Sequence, residues 1–310
     1  MLKIAVSGIH YPLSMMTWFI RALQRREDVE LITVGPYTED WIPWNYGMRI
    51  SRKYIHCPTI PLPQMMIGQR PSFNIIKGKV PEDIDLWLQI DAGWSFSDRP
   101  NAKVVAQIQT DSHVLRGQYS RYKQFNDISF CMQTPYMEAG EKFLPYAYDP
   151  TVHYPVNVGD SGYAGLEYDA CLIGLLYDHR KSLINSLSQK GMNVYYNIGE
   201  VFDEYRERYG RSKVALNWSS MQDLPARVWE AFAMGVPLVT NRNMPDLHTF
   251  FVENDHFLGF DTVSEGVEKV EWVLNNLDKA FEMAEAARRK VEPHTWDNRI
   301  TEILTTVKLI

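Results

Sequence analysis

Cysteine is scarce in this sequence, and its distribution excludes two classes of protein. The 310 residues include three cysteines, Cys57, Cys131 and Cys171, which form no CxxC pair and no even set. This spacing argues against a disulfide framework and against a thiolate zinc site. Cys131 and Cys171 lie within apolar runs, so we expect them to be buried, unreactive thiols. Such thiols suit a reducing compartment, and we expect a cytoplasmic protein.

Three other features are missing. No apolar run approaches the ~20 residues of a membrane span, and the opening segment MLKIAVSGIHYP is typical of a strand rather than a signal peptide. The chain continues SGIHYP where a dinucleotide-binding fold would carry GxGxxG, which counts against a dinucleotide-dependent oxidoreductase. No acidic triplet of the kind that holds Mg²⁺ near phosphates is present. We therefore expect no metal site and no cofactor.

What is present indicates two α/β domains. The length fits two domains of about 150 residues each. The chain opens with a strand, a helix and a second strand, LKIAVSGI, MMTWFIRALQRRE and VELITVGP, and the same alternation restarts at YDACLIGLLY. Between the two lies the proline-punctuated segment 142–157, which we interpret as a linker. The sequence thus predicts two Rossmann-like parallel-sheet domains, 1–155 and 156–293, facing a cleft, with a C-terminal helix at 294–310 that packs back toward the first.

Polar residues follow many of the predicted strands. Ligands of such folds bind beyond the carboxyl ends of the strands, and here we expect them in the cleft between the two domains. The residues at these ends are His10, Asp91, Asp111, His113, Gly174, Gly199, Ser219, Ser220 and Asn241.

The stretch LPARVWEAFAMGVPLVTN, residues 224–241, predicts a helix, a glycine stop and a strand. Arg227 and Glu230 are three residues apart and share one face of that helix. They are either a surface ion pair, which stabilises little, or a pair that grips a ligand at the helix start. In the second interpretation the helix N-terminus and Arg227 bind a diphosphate and Glu230 accepts hydrogen bonds from a ribose diol. We place Pro225 in the first turn of the helix.

Three segments carry a resemblance to a known family, namely NWSSMQDLPARVWEAFAMGVPLVTN, HFLGFDTVSEGVEKVEWVLNN and HTWDNRI. They resemble the two-Rossmann-domain (GT-B) glycosyltransferases, most closely the family-4-type enzymes and their spore-maturation (CgeB-like) relatives. The resemblance covers most of the C-terminal half. The N-terminal half agrees in its order of strands and helices.

The resemblance implies a site for a nucleotide-diphosphate sugar. In the family, two acidic residues stand eight positions apart and the second grips the ribose hydroxyls. Glu230 occupies the second position, whereas the first is Gln222, which can bond a sugar hydroxyl without a charge. A Gly-Gly turn of many members is replaced by NRNMPD, residues 241–246. In the family, a basic residue near the start of the C-terminal domain neutralises the departing diphosphate, and here Arg180 is the residue that the resemblance implies for this role. The implied donor-binding residues are Glu230, Arg227, Gln222, Arg180, Gly174 and Ser219.

The N-terminal half carries the implied catalytic and acceptor residues. His113 matches a family histidine near the donor sugar, Asp111 is beside it, and Asp91 is a candidate base if the enzyme inverts configuration. The acceptor-binding set comprises His10, Arg116, Arg121 and Lys123. The last three belong to RGQYSRYKQF, where Tyr119, Tyr122 and Phe125 are interleaved.

Such a segment would suit a nucleic-acid-binding surface, because basic side chains neutralise phosphates and aromatic side chains stack on bases. Two further basic clusters precede this one, Arg21, Arg25 and Arg26, and Arg49, Arg52 and Lys53. Each of the three clusters can also be interpreted as ordinary solvated surface, where most charged residues lie. Residues 1–150 have a net charge of +1, whereas residues 151–310 have −7 and would repel a duplex.

The function predicted is transfer of a sugar from a nucleotide-diphosphate sugar to an acceptor hydroxyl, without a metal ion. The resemblance implies retention of anomeric configuration. The acceptor is DNA bearing a hydroxymethylated pyrimidine, a small metabolite or a saccharide. Two alternatives remain open, a nucleotide-sugar epimerase and a non-catalytic nucleotide-sugar-binding protein of the same fold.

Overall fold

The computed structural model describes residues 1–38, 57–91, 93–156, 162–163 and 165–310. They form two compact units, Met1–Pro145 with Trp296–Ile310, and Tyr146–Thr295. Each unit contains one sheet in which every strand pairing is parallel. The predicted class, α/β with two parallel-sheet domains, is therefore confirmed.

Twelve strands and nine helices are present in the described part of the chain. The strands are β1 (Leu2–Ser7), β2 (Val29–Pro36), β3 (Ile60–Leu62), β4 (Leu86–Ile90), β5 (Val104–Gln109), β6 (Ile128–Cys131), β7 (Lys142–Phe143), β8 (Ala170–Ile173), β9 (Val194–Asn197), β10 (Ala215–Asn217), β11 (Leu238–Asn241) and β12 (Leu258–Phe260). The α-helices are α1 (Met16–Gln24), α2 (Ser112–Tyr122), α3 (Asp178–Gln189), α4 (Asp203–Gly210), α5 (Ala226–Ala233), α6 (Pro245–Phe250), α7 (Val263–Asn275), α8 (Leu277–Val291) and α9 (Trp296–Thr306).

Because all the strand pairings are parallel, the carboxyl ends of the strands lie at one edge of each sheet. The first sheet has the order β3-β2-β1-β4-β5-β6-β7, and the second has the order β12-β11-β10-β8-β9. Each order reverses at a switch point, where crevices form in open parallel sheets. In the first sheet this point lies between β1 and β4, and in the second it lies between β8 and β10.

Burial on both faces explains the apolar character of the central strands. All five residues of β4 and all four of β8 are buried. In the second unit, Leu172, Leu216 and Val239 from neighbouring strands pack with Phe260 and with Val270 of α7. Cys131 and Cys171 are buried free thiols, as predicted.

The segment predicted as a linker, 142–157, is built into the two units. Its first residues form β7, and Leu144, Tyr148 and Val152 are buried. The second unit begins at Tyr146, ten residues before the predicted position 156. The reason is that the Tyr148 N–H donates to the His294 carbonyl at 3.2 Å, which ties the two ends of this unit together.

The last helix, α9, packs on the N-terminal unit. The ring of Trp296 lies 5.0 Å from that of Phe19 in α1, and Arg25 pairs with Asp297 at 2.6 Å. Two helices, α2 and α6, were not predicted from the sequence. No helix in the described ranges combines the length and apolar character needed to cross a membrane.

Arg242 anchors the turn NRNMPD between β11 and α6. Its guanidinium donates to Glu253 at 2.8 Å, to Asp261 at 2.9 Å and to Glu265 at 2.7 Å. These hydrogen bonds from Arg242 lower the pKa of the Glu265 carboxyl to about 2. Because this pKa lies below the unfolded value, the stabilisation is complete above the unfolded pKa and is lost as the pH falls toward 2.

We expect Arg242→Met to lower the free energy of unfolding by about 1–2 kcal/mol at neutral pH, since charge-assisted hydrogen bonds are lost at a partly exposed site. The difference from the parent should shrink between about pH 5 and pH 2, where the Glu265 carboxylate becomes protonated. Urea unfolding at several pH values measures both. Arg289→Met, which breaks an exposed pair with Glu285, is the control and should change stability little. A difference independent of pH would contradict this account.

Candidate functional site

The carboxyl edge of the second sheet holds most of the predicted donor-binding residues. β8 ends at Ile173 and β10 at Asn217, on the two sides of the switch point. Gly174 follows β8 with a φ of +148°, a conformation that favours glycine. A Cβ atom at Gly174 would lie 2.3 Å from Nη2 of Arg227, so a larger residue would displace that arginine.

Arg227 belongs to the first turn of α5, but its side chain points to the strand ends. Nη2 and Nε donate to the Ile173 carbonyl at 2.8 and 3.1 Å, and Nη1 donates to Oδ1 of Asn217 at 2.8 Å. The helix itself begins at Ala226, so Pro225 is the residue before the first turn rather than within it. Arg227 therefore connects β8, β10 and α5 at one point.

Arg180 also lies near Gly174, with its Nη1 3.7 Å from the position that a Cβ atom would take there. It is 6% exposed, and it donates from Nε to the Trp218 carbonyl at 2.7 Å and from Nη1 to the Leu175 carbonyl at 2.8 Å. Burial, followed by the charge of Arg227, lowers the pKa of Arg180 to about 10. Burial is the larger of these two causes.

Neither arginine has an acidic partner. Among the residues that the structure describes, no carboxylate lies within 4.0 Å of the Arg180 or the Arg227 guanidinium. Buried charges are usually paired, because their desolvation is costly. Here both guanidinium groups donate their hydrogen bonds to neutral oxygens, and that of Arg180 also lies 5.0 Å from the centre of the Tyr177 ring. Both groups lie next to the strand ends and the start of α5. This arrangement is suited to an anion with two or more charges.

Glu230, one turn further along α5, does not pair with Arg227. The Tyr205 hydroxyl donates to Oε2 at 2.7 Å, and Nε2 of His153 lies 3.8 Å from Oε1. The carboxylate is buried, with 6% of the residue exposed. The surface ion pair considered from the sequence is therefore not what the structure contains. The two side chains have separate partners, and Trp229 and Phe232 of the same helix are fully buried.

The loop before α5 carries Ser219 and Gln222. Ser219 is buried, with its N–H donating to Oδ1 of Asn241 at 2.8 Å and its hydroxyl donating to the Asp223 carbonyl, so its contacts hold the loop. Gln222 is exposed, and its amide donates to Oδ1 of Asn243 at 3.2 Å. Gln222 stands where the family has its first acidic residue, and the turn NRNMPD stands where many members have a Gly-Gly turn. The hydrogen bond between Gln222 and Asn243 brings these two departures from the family pattern into direct contact.

At the carboxyl edge of the first sheet, Tyr119 brings two predicted residues together. Its hydroxyl accepts from the N–H groups of Thr110 and Asp111 at 3.1 and 3.4 Å and donates to Oδ1 of Asp91 at 3.2 Å. Burial, then Asp91 and Asp111, raises the pKa of Tyr119, so its hydroxyl stays protonated. Asp91 itself has a φ of +65°. The sequence contained a signal for this role, since Ser112, Tyr119 and Tyr122 recur at helical spacing and all three are buried.

The two predicted histidines have different surroundings. His113 lies in the first turn of α2, where its backbone N–H and its Nδ1 each lie 3.2 Å from Oε1 of Gln133. Because that oxygen only accepts, Nδ1 carries the proton and Nε2 is an acceptor. His10 is 3% exposed, and its Nε2 lies 3.2 Å from the Val34 carbonyl. His10 is thus bound to the backbone beside β2.

The segment RGQYSRYKQF differs from the predicted nucleic-acid surface. Tyr119 and Tyr122 are 0% and 5% exposed, so neither ring can stack on a base. Arg116 donates from Nη1 to Glu141 and to Gln109, both at 2.8 Å. Arg121 and Lys123 are exposed, and Lys123 pairs with Glu138 at 3.3 Å. The helical period of α2 turns the aromatic residues inward, which the linear pattern did not reveal.

The other two basic clusters give no further support for such a surface. Arg25 pairs with Asp297 and Arg26 with Asp28. The cluster of Arg49, Arg52 and Lys53 lies outside the described residues. Within the described part of the chain, no group of three or more His, Cys, Asp or Glu side chains is placed to hold a metal ion.

Comparison with known proteins gives a family match for the C-terminal half. Residues 169–305 match the family described as glycosyl transferase-like. A search of curated protein sequences found no match. The matched segment contains Gly174, Arg180, Arg227 and Glu230.

Solved structures resemble the whole chain. A sucrose-phosphate synthase from Thermosynechococcus elongatus has a TM-score of 0.68 at 12% identity, with 100% of this chain and 99% of that chain covered. An alpha-glucosyltransferase in complex with UDP and a 13-mer DNA containing a central A:G mismatch has a TM-score of 0.64 at 12% identity, with 99% and 100% covered. HepE of Anabaena in complex with UDP has a TM-score of 0.62 at 9% identity, with 99% and 100% covered. At these identities the likeness shows a shared fold.

The fold and the family match together support the GT-B superfamily of glycosyltransferases. Placement among the family-4-type or spore-maturation (CgeB-like) enzymes stays a prediction.

The two arginines without acidic partners generate a prediction about anion binding. We expect Arg180→Met and Arg227→Met each to weaken binding of inorganic pyrophosphate about tenfold or more, since a charge-assisted hydrogen bond contributes roughly 1.5–3 kcal/mol. Isothermal titration calorimetry measures the affinities. Arg211→Met is the matched control, because Arg211 pairs with Glu167 and should not contribute. Equal binding by all four proteins would remove both arginines from an anion site.

Proposed function

We propose that this protein is a glycosyltransferase that moves a sugar from a nucleotide-diphosphate sugar to an acceptor hydroxyl. One observation carries the proposal. Arg180 and Arg227 flank Gly174 at the switch point of the second sheet, and neither has a carboxylate partner among the described residues. A diphosphate supplies the negative charge that this pair lacks, and it is also the leaving group of such a reaction.

The C-terminal unit binds the donor in this proposal. Arg180 and Arg227 hold the diphosphate and stabilise the charge that develops on it as the glycosidic bond breaks. Glu230 accepts hydrogen bonds from the ribose hydroxyls, and Gln222 with Asn243 lies on the side of the donor sugar. UDP is the first nucleotide to test, because two of the solved structures with this fold were determined in complex with UDP.

The N-terminal unit binds the acceptor. Nε2 of His113, which accepts, is available to a sugar hydroxyl or to the reacting hydroxyl. We propose retention of configuration on the basis of the family resemblance. Asp91, held by the Tyr119 hydroxyl at 3.2 Å, is the base if the reaction inverts configuration instead.

A saccharide or a small metabolite is the acceptor class that the surface favours. The aromatic residues needed to stack on bases, Tyr119 and Tyr122, belong to the core, and Arg116 is committed to Glu141. DNA with a hydroxymethylated pyrimidine remains in the acceptor panel, because Arg121 and Lys123 are exposed and three solved structures of this fold, all of an alpha-glucosyltransferase, contain DNA.

Incubation with labelled UDP-glucose, UDP-galactose and UDP-N-acetylglucosamine, with and without an acceptor panel, tests the proposal. We expect free UDP and a labelled acceptor. We also expect a loss of at least tenfold in kcat/KM with Glu230→Gln, because a neutral amide oxygen accepts weaker hydrogen bonds from the ribose hydroxyls than a carboxylate oxygen does. A changed sugar without transfer would indicate an epimerase. Saturable binding without any product, extended to GDP, ADP and TDP sugars, would indicate a binding protein.

Metal independence is a separate expectation. The charge of the leaving group is balanced by two arginines, and the described residues offer no carboxylate cluster to hold a cation. We therefore expect transfer in excess EDTA at a rate within about twofold of that in Mg²⁺ or Mn²⁺, a difference below 1 kcal/mol in the barrier. The initial rate of UDP release measures this. Complete loss of activity with EDTA that is restored by Mg²⁺ would refute the mechanism.

A further inference from the structure

The Glu230 carboxylate lies in an unusual environment for a buried acid. Among the described residues, no Lys or Arg nitrogen lies within 4.0 Å of it. Burying a carboxylate without a cation is costly, so stability alone does not explain its presence. Its neighbours are a tyrosine from α4 and a histidine from the segment that opens the C-terminal unit.

Tyr205 fixes one oxygen of Glu230. Its hydroxyl donates to Oε2 at 2.7 Å, and 9% of the residue is exposed. Burial, then the charge of Glu230, raises the pKa of Tyr205, so the hydroxyl remains a donor at any working pH. The ring also packs 4.8 Å from that of Tyr209, whose hydroxyl accepts from the Ile173 N–H at 3.1 Å. Helix α4 therefore supports both Glu230 and the strand end that holds Arg227.

His153 lies beside the other oxygen. Its Nδ1 accepts from the Asp149 N–H at 3.0 Å, so the neutral ring carries its proton on Nε2. Nε2 lies 3.8 Å from Oε1 of Glu230, which is too long for a hydrogen bond. The ring also lies 5.9 Å from that of Tyr205, edge to face. His153 thus borders Oε1 of Glu230 and restricts the position of this oxygen. It does not occupy the lone pairs of Oε1, because no hydrogen bond forms between them.

We propose that Tyr205 and His153 are positioning residues that hold the Glu230 carboxylate in one orientation for the ribose hydroxyls of the donor. This inference rests on the proposed function, in which Glu230 contacts the ribose. Tyr205 occupies Oε2 and His153 limits rotation of the carboxylate. Oε1 therefore presents its lone pairs to the ligand. An acceptor held in place before binding loses little entropy when the ligand arrives.

Three probes separate positioning from a general structural effect. UDP carries both the ribose hydroxyls and the diphosphate, 2′,3′-dideoxy-UDP lacks the hydroxyls, and inorganic pyrophosphate tests the two arginines alone. Calorimetry measures the dissociation constant of each probe with the parent and with Tyr205→Phe, which keeps the ring and loses only the hydroxyl.

We expect Tyr205→Phe to weaken UDP binding about tenfold and to leave 2′,3′-dideoxy-UDP and pyrophosphate within about twofold of the parent. His153→Phe should act in the same direction. His153→Gln, whose amide can still border Oε1, should restore most of the UDP affinity. Tyr168→Phe is the matched control, since Tyr168 accepts from Arg208 ahead of β8 and should change none of the three constants.

Equal weakening of all three probes by Tyr205→Phe, or no change with UDP, would overturn the inference and leave the proposed function intact. A parent protein that binds pyrophosphate but no nucleoside diphosphate would overturn both. Thermal unfolding of each variant shows whether it is folded. If Tyr205→Phe were unfolded, the same comparison with His153→Phe and His153→Gln would decide.

Discussion

The contact of the Arg227 guanidinium with the Ile173 carbonyl and the Asn217 amide is the interaction on which the rest of the site depends. It joins the ends of β8 and β10 to the first turn of α5, and it requires a residue without a side chain at Gly174. Arg180 is held near the same glycine by the carbonyls of Leu175 and Trp218. Two positive charges are therefore fixed at the switch point of a parallel sheet.

The polar groups around this contact form two sets with different chemistry. The arginines donate to neutral oxygens and have no carboxylate within 4.0 Å among the described residues, which suits an anion. Glu230 contacts the Tyr205 hydroxyl and lies near the His153 ring, and it has no cation within the described residues. Arg227 and Glu230 lie on one helix but have separate partners. Selection for stability alone would favour an ion pair between them, whereas separate partners are expected where both groups bind a ligand. Arg242 illustrates the opposite case, since its three acidic partners satisfy it and stabilise a turn.

Much of the fold followed from local sequence patterns. Short apolar runs predicted β1, β2, β8 and β11 because strands buried on both faces need such runs, and the restart of the pattern predicted a second sheet. The helices α2 and α6 were missed, since α2 is rich in polar residues and α6 has six residues, of which the first is a proline. The short strands β3 and β7 carry too few residues for any period to be recognised.

The sequence by itself determined that Arg227 and Glu230 share the start of one helix and that Gly174 and Arg180 follow a buried strand. These are local facts, fixed by helical spacing and by the apolar pattern. Only the tertiary structure decided that Arg227 turns to β8 and β10 rather than to Glu230, and that Tyr205 and His153 surround that carboxylate. It also decided that Tyr119 joins Asp91 to Asp111 instead of facing solvent. These contacts link residues far apart in the chain, and their existence depends on which strands are neighbours in the sheet. No periodicity within one segment carries that information.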